Sequence, residues 1–147
     1  MSQGGTGIDL ETSLGYLLKE AATALRVAME AVLRPLGMTV THYSCLELLA
    51  QRPGLSNSEL ARGAFVTRQS MNVLLQALER DGYVTRSEDA PVGRVLPTRL
   101  TSLGRQELAK ATVAVRSVEL RMLSALTDDE RAAASTILRS MIRALAA

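Results

Sequence analysis

A glycine-terminated amphipathic segment, residues 67–82, constrains the fold of this 147-residue chain more than any other feature. Its apolar side chains recur at three- and four-residue spacing with a polar stripe opposite, which predicts an amphipathic helix. Thr67 is the expected N-cap, and Gly82 is the expected stop. The apolar stripe is Met71, Leu74, Leu75 and Leu78, and the polar stripe is Arg68, Gln69, Asn72 and Gln76. Because many proteins contain such a helix, its neighbours in sequence decide what it does.

A short capped helix precedes this segment. Ser56-Asn57-Ser58-Glu59 fits the capping box, in which the serine caps a backbone amide and the glutamate reaches back. The helix predicted over 56–63 is separated from the next by a turn of about four residues, the spacing of a helix-turn-helix. Since helical hairpins share this spacing, it leaves both a DNA-binding motif and a plain hairpin open.

Two β-prone runs follow the amphipathic helix. Residues 83–87 and 94–100 are strand-like, and Glu88-Asp89-Ala90-Pro91-Val92-Gly93 between them has the composition of a loop. Pro97 cannot donate a ladder hydrogen bond, so the second strand should be an edge or bulged there. A hairpin at this place predicts a wing, which favours DNA binding.

The flanking segments are predicted to be helical. Apolar spacing indicates a helix from about Asp9 to Arg34, ended by Pro35 and Gly37, and a second helix over 41–51 with Thr41 as its N-cap. After the wing, Thr101 caps a helix over about 102–126, and Thr127-Asp128-Asp129-Glu130 is a second capping box that starts a last helix. Residues 1–8 have the composition of a disordered tail.

The first and the last two helices are more apolar than covering residues 37–100 requires. We therefore expect a homodimer, with a monomeric bundle folded back on itself as the alternative. The predicted fold is mainly α with a small β-hairpin wing. A winged-helix domain spans 37–100, and a helical dimerisation region spans 9–36 and 101–147.

Composition excludes several classes of protein. Hydrophobic residues make up 47%, yet no apolar stretch is long enough for a membrane span and the N-terminus has no signal pattern, so a cytoplasmic protein is expected. Cys45 and His42 are the single cysteine and the single histidine, which excludes an internal disulfide, a cysteine zinc site and most catalytic triads. Without a glycine-rich phosphate loop or a nucleophile elbow, we expect no enzyme and no cofactor.

The net charge of +2 is only weak evidence for nucleic-acid binding, but the distribution of the arginines along the chain is stronger evidence. Arginine outnumbers lysine, and Arg86, Arg94 and Arg99 cluster in the strand-like region, with Arg62, Arg68 and Arg80 upstream. The planar guanidinium suits phosphate and guanine, although scattered arginines also form ordinary solvated surfaces.

The order of these elements resembles the MarR family of bacterial transcriptional regulators from about residue 10 to 146. The matching stretches are Leu60-Ala61, Val66-Thr67-Arg68-Gln69-Ser70-Met71-Asn72, Leu78-Glu79-Arg80-Asp81-Gly82-Tyr83-Val84 and Leu100-Thr101-Ser102-Leu103-Gly104. The resemblance implies a winged-helix homodimer that binds a palindromic operator in double-stranded DNA, as a repressor released by a small molecule or an oxidant.

Three positions depart from the family pattern. Family wings often carry Asp-x-Arg near the tip, whereas this chain has Val92-Gly93-Arg94 and keeps only the arginine. Phe65 stands where helix-turn-helix motifs often have glycine. Cys45 lies on the second helix, whereas peroxide-sensing members have their reactive cysteine near the start of the first.

In a winged helix, the start of the 67–81 helix enters the major groove. Arg68 is expected to read guanine and Gln69 adenine, with Asn72 one turn on and Val73 against a thymine methyl group. Arg94 would enter the minor groove. The full major-groove set is Thr67, Arg68, Gln69, Ser70, Asn72, Val73 and Gln76, and the phosphate set is Ser56, Asn57, Ser58, Arg86 and Arg99. Arg86 and Arg99 fit internal ion pairs equally well, and Gln69 and Asn72 also fit solvated helix positions.

The resemblance places a candidate effector pocket between the dimerisation helices and the winged helix. Its residues would be Tyr16, Met29, His42, Tyr43 and Leu46, although tyrosine and histidine on apolar helices are more often core residues. The apolar neighbours of Cys45 in the sequence indicate a small buried hydrophobic residue rather than a redox sensor. The alternatives to an effector-controlled repressor are a winged-helix scaffold that binds proteins instead of DNA, and a redox-responsive regulator that uses Cys45.

Overall fold

The computed structural model describes residues 7–86 and 97–146. In chain order its elements are α1 (Leu14–Leu33), a 3₁₀ turn (Arg34–Leu36), α2 (Val40–Gln51), α3 (Asn57–Gly63), α4 (Arg68–Arg80), β1 (Val84–Arg86), β2 (Thr98–Leu100), α5 (Ser102–Met122) and α6 (Asp128–Leu145). The two strands pair antiparallel, with Thr85 opposite Arg99. This is the mainly helical fold with one hairpin that the sequence predicts.

The hydrophobic core lies where α2, α3, α4 and the hairpin meet. Leu46, Leu60, Met71 and Leu75 are each 0% exposed, and burying a side chain of this size contributes roughly 1.5–3 kcal/mol. Val84 and Leu100, which pair across the hairpin, close the core from the strand side. The core therefore fixes α4 with one face inward and leaves the opposite face outside.

A glycine allows α5 to approach the end of α4. The backbone of Gly104 lies so close to Tyr83 that a Cβ at this position would overlap the carbonyl oxygen of Tyr83. Next to it, the hydroxyl of Thr101 caps α5 by accepting from the Gly104 amide at 3.0 Å. Any larger residue at 104 would push α5 away from the winged helix.

The start of α1 differs from its prediction. A helix was expected from Asp9, but α1 begins at Leu14 with Ser13 as N-cap, and Asp9 instead accepts the backbone amide of Glu11 in a separate turn. Asp9 and Ser13 are both good caps, and the later one starts the helix. At the other end, Pro35 lies within the 3₁₀ turn, and Gly37 stops it with a φ of +72°.

The N-cap of α2 was also predicted wrongly. Thr39, not Thr41, has the extended backbone and accepts the amide of His42 at 3.0 Å. The prediction chose the second of two threonines two residues apart, and α2 consequently begins at Val40. The apolar spacing predicts that Tyr43, Leu46 and Leu49 share one side of this helix. Leu46 and Leu49 are buried there, and Tyr43 is partly buried against the same core.

The end of α5 and the start of α6 form a compact corner. The predicted end of α5 at residue 126 is four residues too late, because Leu123–Leu126 turn instead of continuing the helix. Arg131 holds the corner by donating from Nη2 to the carbonyl oxygen of Leu123 at 3.0 Å. Thr127 and Glu130 form the capping box that the sequence predicts.

Apolar side chains remain exposed on the first half of α1 and along α6. No described residue of α6 is fully buried, although Ile137, Leu138 and Ile142 repeat along it. Leu14, Leu17 and Leu18 are exposed on α1 in the same way. None of the described helices is long and apolar enough to cross a membrane.

Candidate nucleic-acid interface

Two capped helices, α3 and α4, form the helix-turn-helix. Ser56 and Glu59 make the predicted capping box at α3, and Thr67 caps α4 by accepting the amide of Ser70 at 3.0 Å. Between the helices, the amide of Val66 donates to the carbonyl oxygen of Ala61 and closes the turn. The turn thus rests on local hydrogen bonds that the sequence specifies.

Phe65 occupies the turn position that requires a left-handed backbone. Its φ is +62°, and it is the single non-glycine residue with a positive φ in the described part of the chain. A Cβ in this conformation costs about 1–2 kcal/mol relative to glycine. The ring regains little by burial, because 93% of Phe65 is exposed. Phe65, which stands where helix-turn-helix motifs often have glycine, is therefore a strained position.

The two faces of α4 are as predicted. Met71, Leu75 and Leu78 are buried, and Leu74 is partly buried against the same core. The opposite face leaves the whole predicted base-reading set exposed: Thr67, Arg68, Gln69, Ser70, Asn72, Val73 and Gln76. Val73 is an apolar side chain in this polar face and is 63% exposed. A polar, cation-bearing face on a helix of this kind is suited to the edges of base pairs.

Within the described residues, the hairpin consists of the paired strands β1 and β2. β1 and β2 each have three residues, and Pro97 lies just before β2 rather than inside it, so its missing N–H breaks no ladder bond. Arg99 is exposed, whereas Arg86 is half-buried and its Nε has no hydrogen-bond partner among the described residues. The predicted loop 88–93 and Arg94 lie outside the described residues.

The start of α3 contacts the exposed face of α4. Asn57 donates from Nδ2 to Oδ1 of Asn72 at 2.7 Å, and Nη1 of Arg68 donates to Oγ of Ser58 at 3.4 Å. Both contacts join a residue expected at phosphate to a residue expected at a base edge. Sequence reasoning missed them because nothing in the one-dimensional pattern links positions 15 and 10 residues apart.

The five candidate effector residues do not surround one cavity in the described part of a single chain. Tyr16 borders a shallow hollow on α1 with Lys19 and Glu20, and Tyr43 borders a different hollow with Glu47. Leu46 is fully buried, and Met29 is packed against the same core. A pocket containing all five stays a prediction.

His42 and Tyr83 are packed together near the C-terminal end of α4. Their ring centroids are 5.6 Å apart. Burial lowers the pKa of His42, and the nearby carboxylate of Asp81 opposes that shift. The Nε2 atom of His42 is buried without a partner among the described residues, so protonation there would bury a donor that has no acceptor.

A carboxylate connects α2 to α5. Glu47 accepts from the Tyr43 hydroxyl at 2.8 Å, from Gln51 at 2.8 Å and from the Thr112 hydroxyl at 3.1 Å. Burial alone would raise the pKa of Glu47, but these hydrogen bonds hold it below its usual value. The pKa of Tyr43 is raised to about 12 by burial and by its bond to Glu47. This network ties the winged helix to the helix expected to dimerise.

Cys45 is 0% exposed within the core. Burial raises the pKa of its thiol to about 12, so almost none of it is thiolate at neutral pH. The interpretation of Cys45 as a small buried hydrophobe is confirmed.

Comparison with known proteins agrees with this geometry. The model of the MarR family matches residues 36–95. The HTH-type transcriptional repressor Rv2887 of Mycobacterium tuberculosis is 44% identical over 121 residues, which cover 82% of this chain and 87% of the repressor. Its structure with DNA has a TM-score of 0.70 at 38% identity, and covers 88% of this chain and 98% of that chain.

Two further structures are similar over most of the chain. The structure of Rv2887 with salicylic acid has a TM-score of 0.74 at 41% identity, covering 88% of this chain and 96% of that one. The repressor CouR, bound to a 23-mer DNA duplex, has a TM-score of 0.81 at 30% identity, covering 96% and 99%. With the helix-turn-helix, the hairpin and these similarities together, the chain belongs to the MarR family of transcriptional regulators.

Proposed function

We propose that this chain is a sequence-specific DNA-binding transcriptional repressor that binds a palindromic operator as a homodimer. The observation that carries the proposal is α4, whose buried stripe is fixed by the core while its polar face is exposed as a unit. Rv2887 and CouR, which share the fold, both have structures with DNA. A repressor acts on the bacterial chromosome, which places the proposed site of action in the cytoplasm.

The start of α4 lies in the major groove in this proposal. Arg68 and Gln69 contact base edges, Asn72 reads one helical turn further on, and Val73 contacts a thymine methyl group. Thr67, Ser70 and Gln76 complete this surface. Ser56, Asn57 and Ser58 open α3, where hydroxyl groups and backbone amides suit a phosphate.

Arginines of the wing extend the proposed interface. Arg99 is exposed and contacts phosphate, and Arg94 enters the adjacent minor groove. Arg86 is less accessible than Arg99, because its side chain is half-buried at the end of β1. A phosphate contact is therefore better supported for Arg99 than for Arg86.

The second copy of the chain would cover the exposed apolar residues of α1 and α6. Residues 9–36 and 101–147 are assigned to this dimerisation region, and 37–100 to DNA binding. A twofold axis gives two copies of α4, which reach successive major grooves about 34–36 Å apart on one side of the duplex. This geometry requires an operator with two inverted half-sites.

A small-molecule effector is part of the proposal. Rv2887 has been crystallised with salicylic acid. The candidate effector residues lie on α1 and α2, and they are Tyr16, Met29, His42, Tyr43 and Leu46. The network around Glu47 gives such a ligand a route from α5 to the winged helix. A redox signal through Cys45 is disfavoured, because the thiol is buried and protonated.

Titration against duplexes tests the proposal. The wild-type chain should bind its own upstream operator far more tightly than a random duplex at each of two salt concentrations. Arg68→Ala should cost about 1–3 kcal/mol on the operator and less on the random duplex, because a bidentate base contact is lost. Arg80→Ala is the control, since Arg80 lies roughly 18 Å along the same helix at a rise of 1.5 Å per residue.

The outcomes separate the competing functions. If Arg68→Ala loses equal binding free energy on the operator and on the random duplex, Arg68 contacts a phosphate rather than a base. A wild-type chain that binds no duplex at either salt concentration would favour the protein-binding scaffold. Release of the operator by peroxide, with loss of that response in Cys45→Ser, would favour the redox regulator.

A further inference from the structure

A pair of side-chain amides joins α3 to the exposed face of α4. Asn57 is the first residue of α3, and its Nδ2 donates to Oδ1 of Asn72 at 2.7 Å. The two residues are 15 positions apart in sequence and belong to different helices of the motif. In the free protein, Asn72 on the proposed DNA-binding surface therefore already accepts one hydrogen bond, from Asn57.

The remaining hydrogen-bonding capacity of Asn72 still suits a base. A carboxamide oxygen has two lone pairs and its nitrogen has two hydrogens. The bond from Asn57 uses one lone pair, so one acceptor site and both donors of Asn72 remain. One acceptor and one donor side by side are what the N6 and N7 atoms of adenine require in the major groove.

The pair also restricts the orientation of the Asn72 amide. An isolated asparagine turns its terminal amide easily, because this torsion is broad and roughly twofold. If Asn72 alone turned over, its NH₂ group would face the NH₂ group of Asn57, and the hydrogen bond would be lost. Reversal requires both amides to turn together, so Asn57 reduces the freedom that Asn72 would otherwise lose on binding.

We propose that Asn57 is a positioning residue for base readout, which sets the base preference opposite Asn72 by holding its carboxamide in one orientation. The inference rests on the proposed DNA-binding function and assigns Asn57 a second task beside phosphate contact. The second Nδ2 hydrogen of Asn57 is not used in the bond to Asn72, so one residue serves both.

A double-mutant cycle on a set of operators tests this role. The wild-type chain, Asn57→Ala, Asn72→Ala and the double variant are titrated against the operator and against its single-base-pair variants. The quantity compared is the ratio of affinities at each position, in which any uniform loss from a phosphate contact cancels. Thermal unfolding of each variant confirms folding, and the capping residues Ser56 and Glu59 are left unchanged.

The expected pattern is a shared, non-additive loss. Asn72→Ala should lower discrimination at one base pair of each half-site by roughly 5- to 150-fold. Asn57→Ala should lower it at the same base pair by about threefold to tenfold, and the double variant should discriminate no worse than Asn72→Ala alone. Equal loss of affinity for all duplexes in Asn57→Ala, or additive effects of the two changes, would overturn the proposal.

A second, independent experiment replaces the donor at position 57 by an acceptor. In Asn57→Asp the carboxylate has acceptors only, so Asn72 must turn its NH₂ group toward it and face the groove with its oxygen. The base preference at that position should then change to another base rather than disappear. An unchanged preference would overturn the positioning role. A wild-type chain that does not distinguish operator from random duplex would overturn the proposed function as well.

Discussion

The winged helix and the flanking ends of the chain use similar apolar residues in opposite ways. In the winged helix, Leu60 and Leu75 are 0% exposed, whereas Leu14 on α1 and Leu145 on α6 are 68% and 87% exposed. Apolar area left in water forgoes about 25 cal/mol per Å². The first region therefore completes its core within one chain, and the second leaves apolar surface exposed, which the proposed second copy would cover. The following predictions test that difference.

The largest effect is expected in the winged-helix core. Leu75→Ala should lower the free energy of unfolding by about 2–5 kcal/mol, because it leaves a cavity beside Met71 and Leu78. Val73→Ala, on the exposed face of the same helix, should change it by less than about 0.5 kcal/mol. Urea titration measures both, and equal effects would contradict the assignment of the two faces.

The exposed stripe of α6 should matter only through the dimer. Leu138→Gln should make the melting temperature and the oligomeric state depend strongly on protein concentration, since it places a polar group in the proposed contact. Ala132→Gln is the control on a different face of α6, about 120° around the helix from Leu138 at 100° per residue. Melting at several concentrations and light scattering measure the change. Identical behaviour of the two variants would remove α6 from the dimer contact.

A smaller gain in stability is expected at the turn of the motif. Phe65→Gly should raise the free energy of unfolding by about 1 kcal/mol, because glycine adopts the left-handed backbone without the Cβ penalty. Phe65→Ala keeps the Cβ and should bring no such gain. Denaturant unfolding of the three proteins measures this. A glycine variant no more stable than the alanine variant would show that the turn is not strained.

The smallest effect is expected at Cys45. With a thiol pKa of about 12, iodoacetamide at pH 8 should modify the native chain very slowly and the urea-unfolded chain quickly. Mass spectrometry over time measures both rates. Rapid modification of the native chain would show that the thiol is accessible and would support a redox-responsive regulator that uses Cys45.

Local signals predicted much of this fold correctly. The capping boxes at Ser56 and Thr127 and the two faces of α4 were found because each depends on residues three or four positions apart. The errors at the starts of α1 and α2 occurred where two residues could serve equally well as the N-cap. Thr39 and Thr41 are equivalent caps in the sequence, as are Asp9 and Ser13, and only the packed chain chooses between them.

The candidate site was predictable as a surface but not as a set of contacts. Exposure of Arg68, Gln69 and Asn72 followed from the helical period. The contacts of Arg68 with Ser58 and of Asn72 with Asn57 depend on how α3 packs on α4. The bond between Glu47 and Thr112 depends on how α5 packs on α2. Such pairings are set by tertiary structure, so no spacing rule in the sequence reveals them.

The most direct test of a dimeric winged-helix repressor is the stoichiometry of its complex with operator DNA. Size-exclusion chromatography with multi-angle light scattering gives the mass of the complex on a duplex with two inverted half-sites. The account predicts two chains on each duplex, and two chains also in the free protein. One chain on each duplex, with a monomeric free protein, would contradict it.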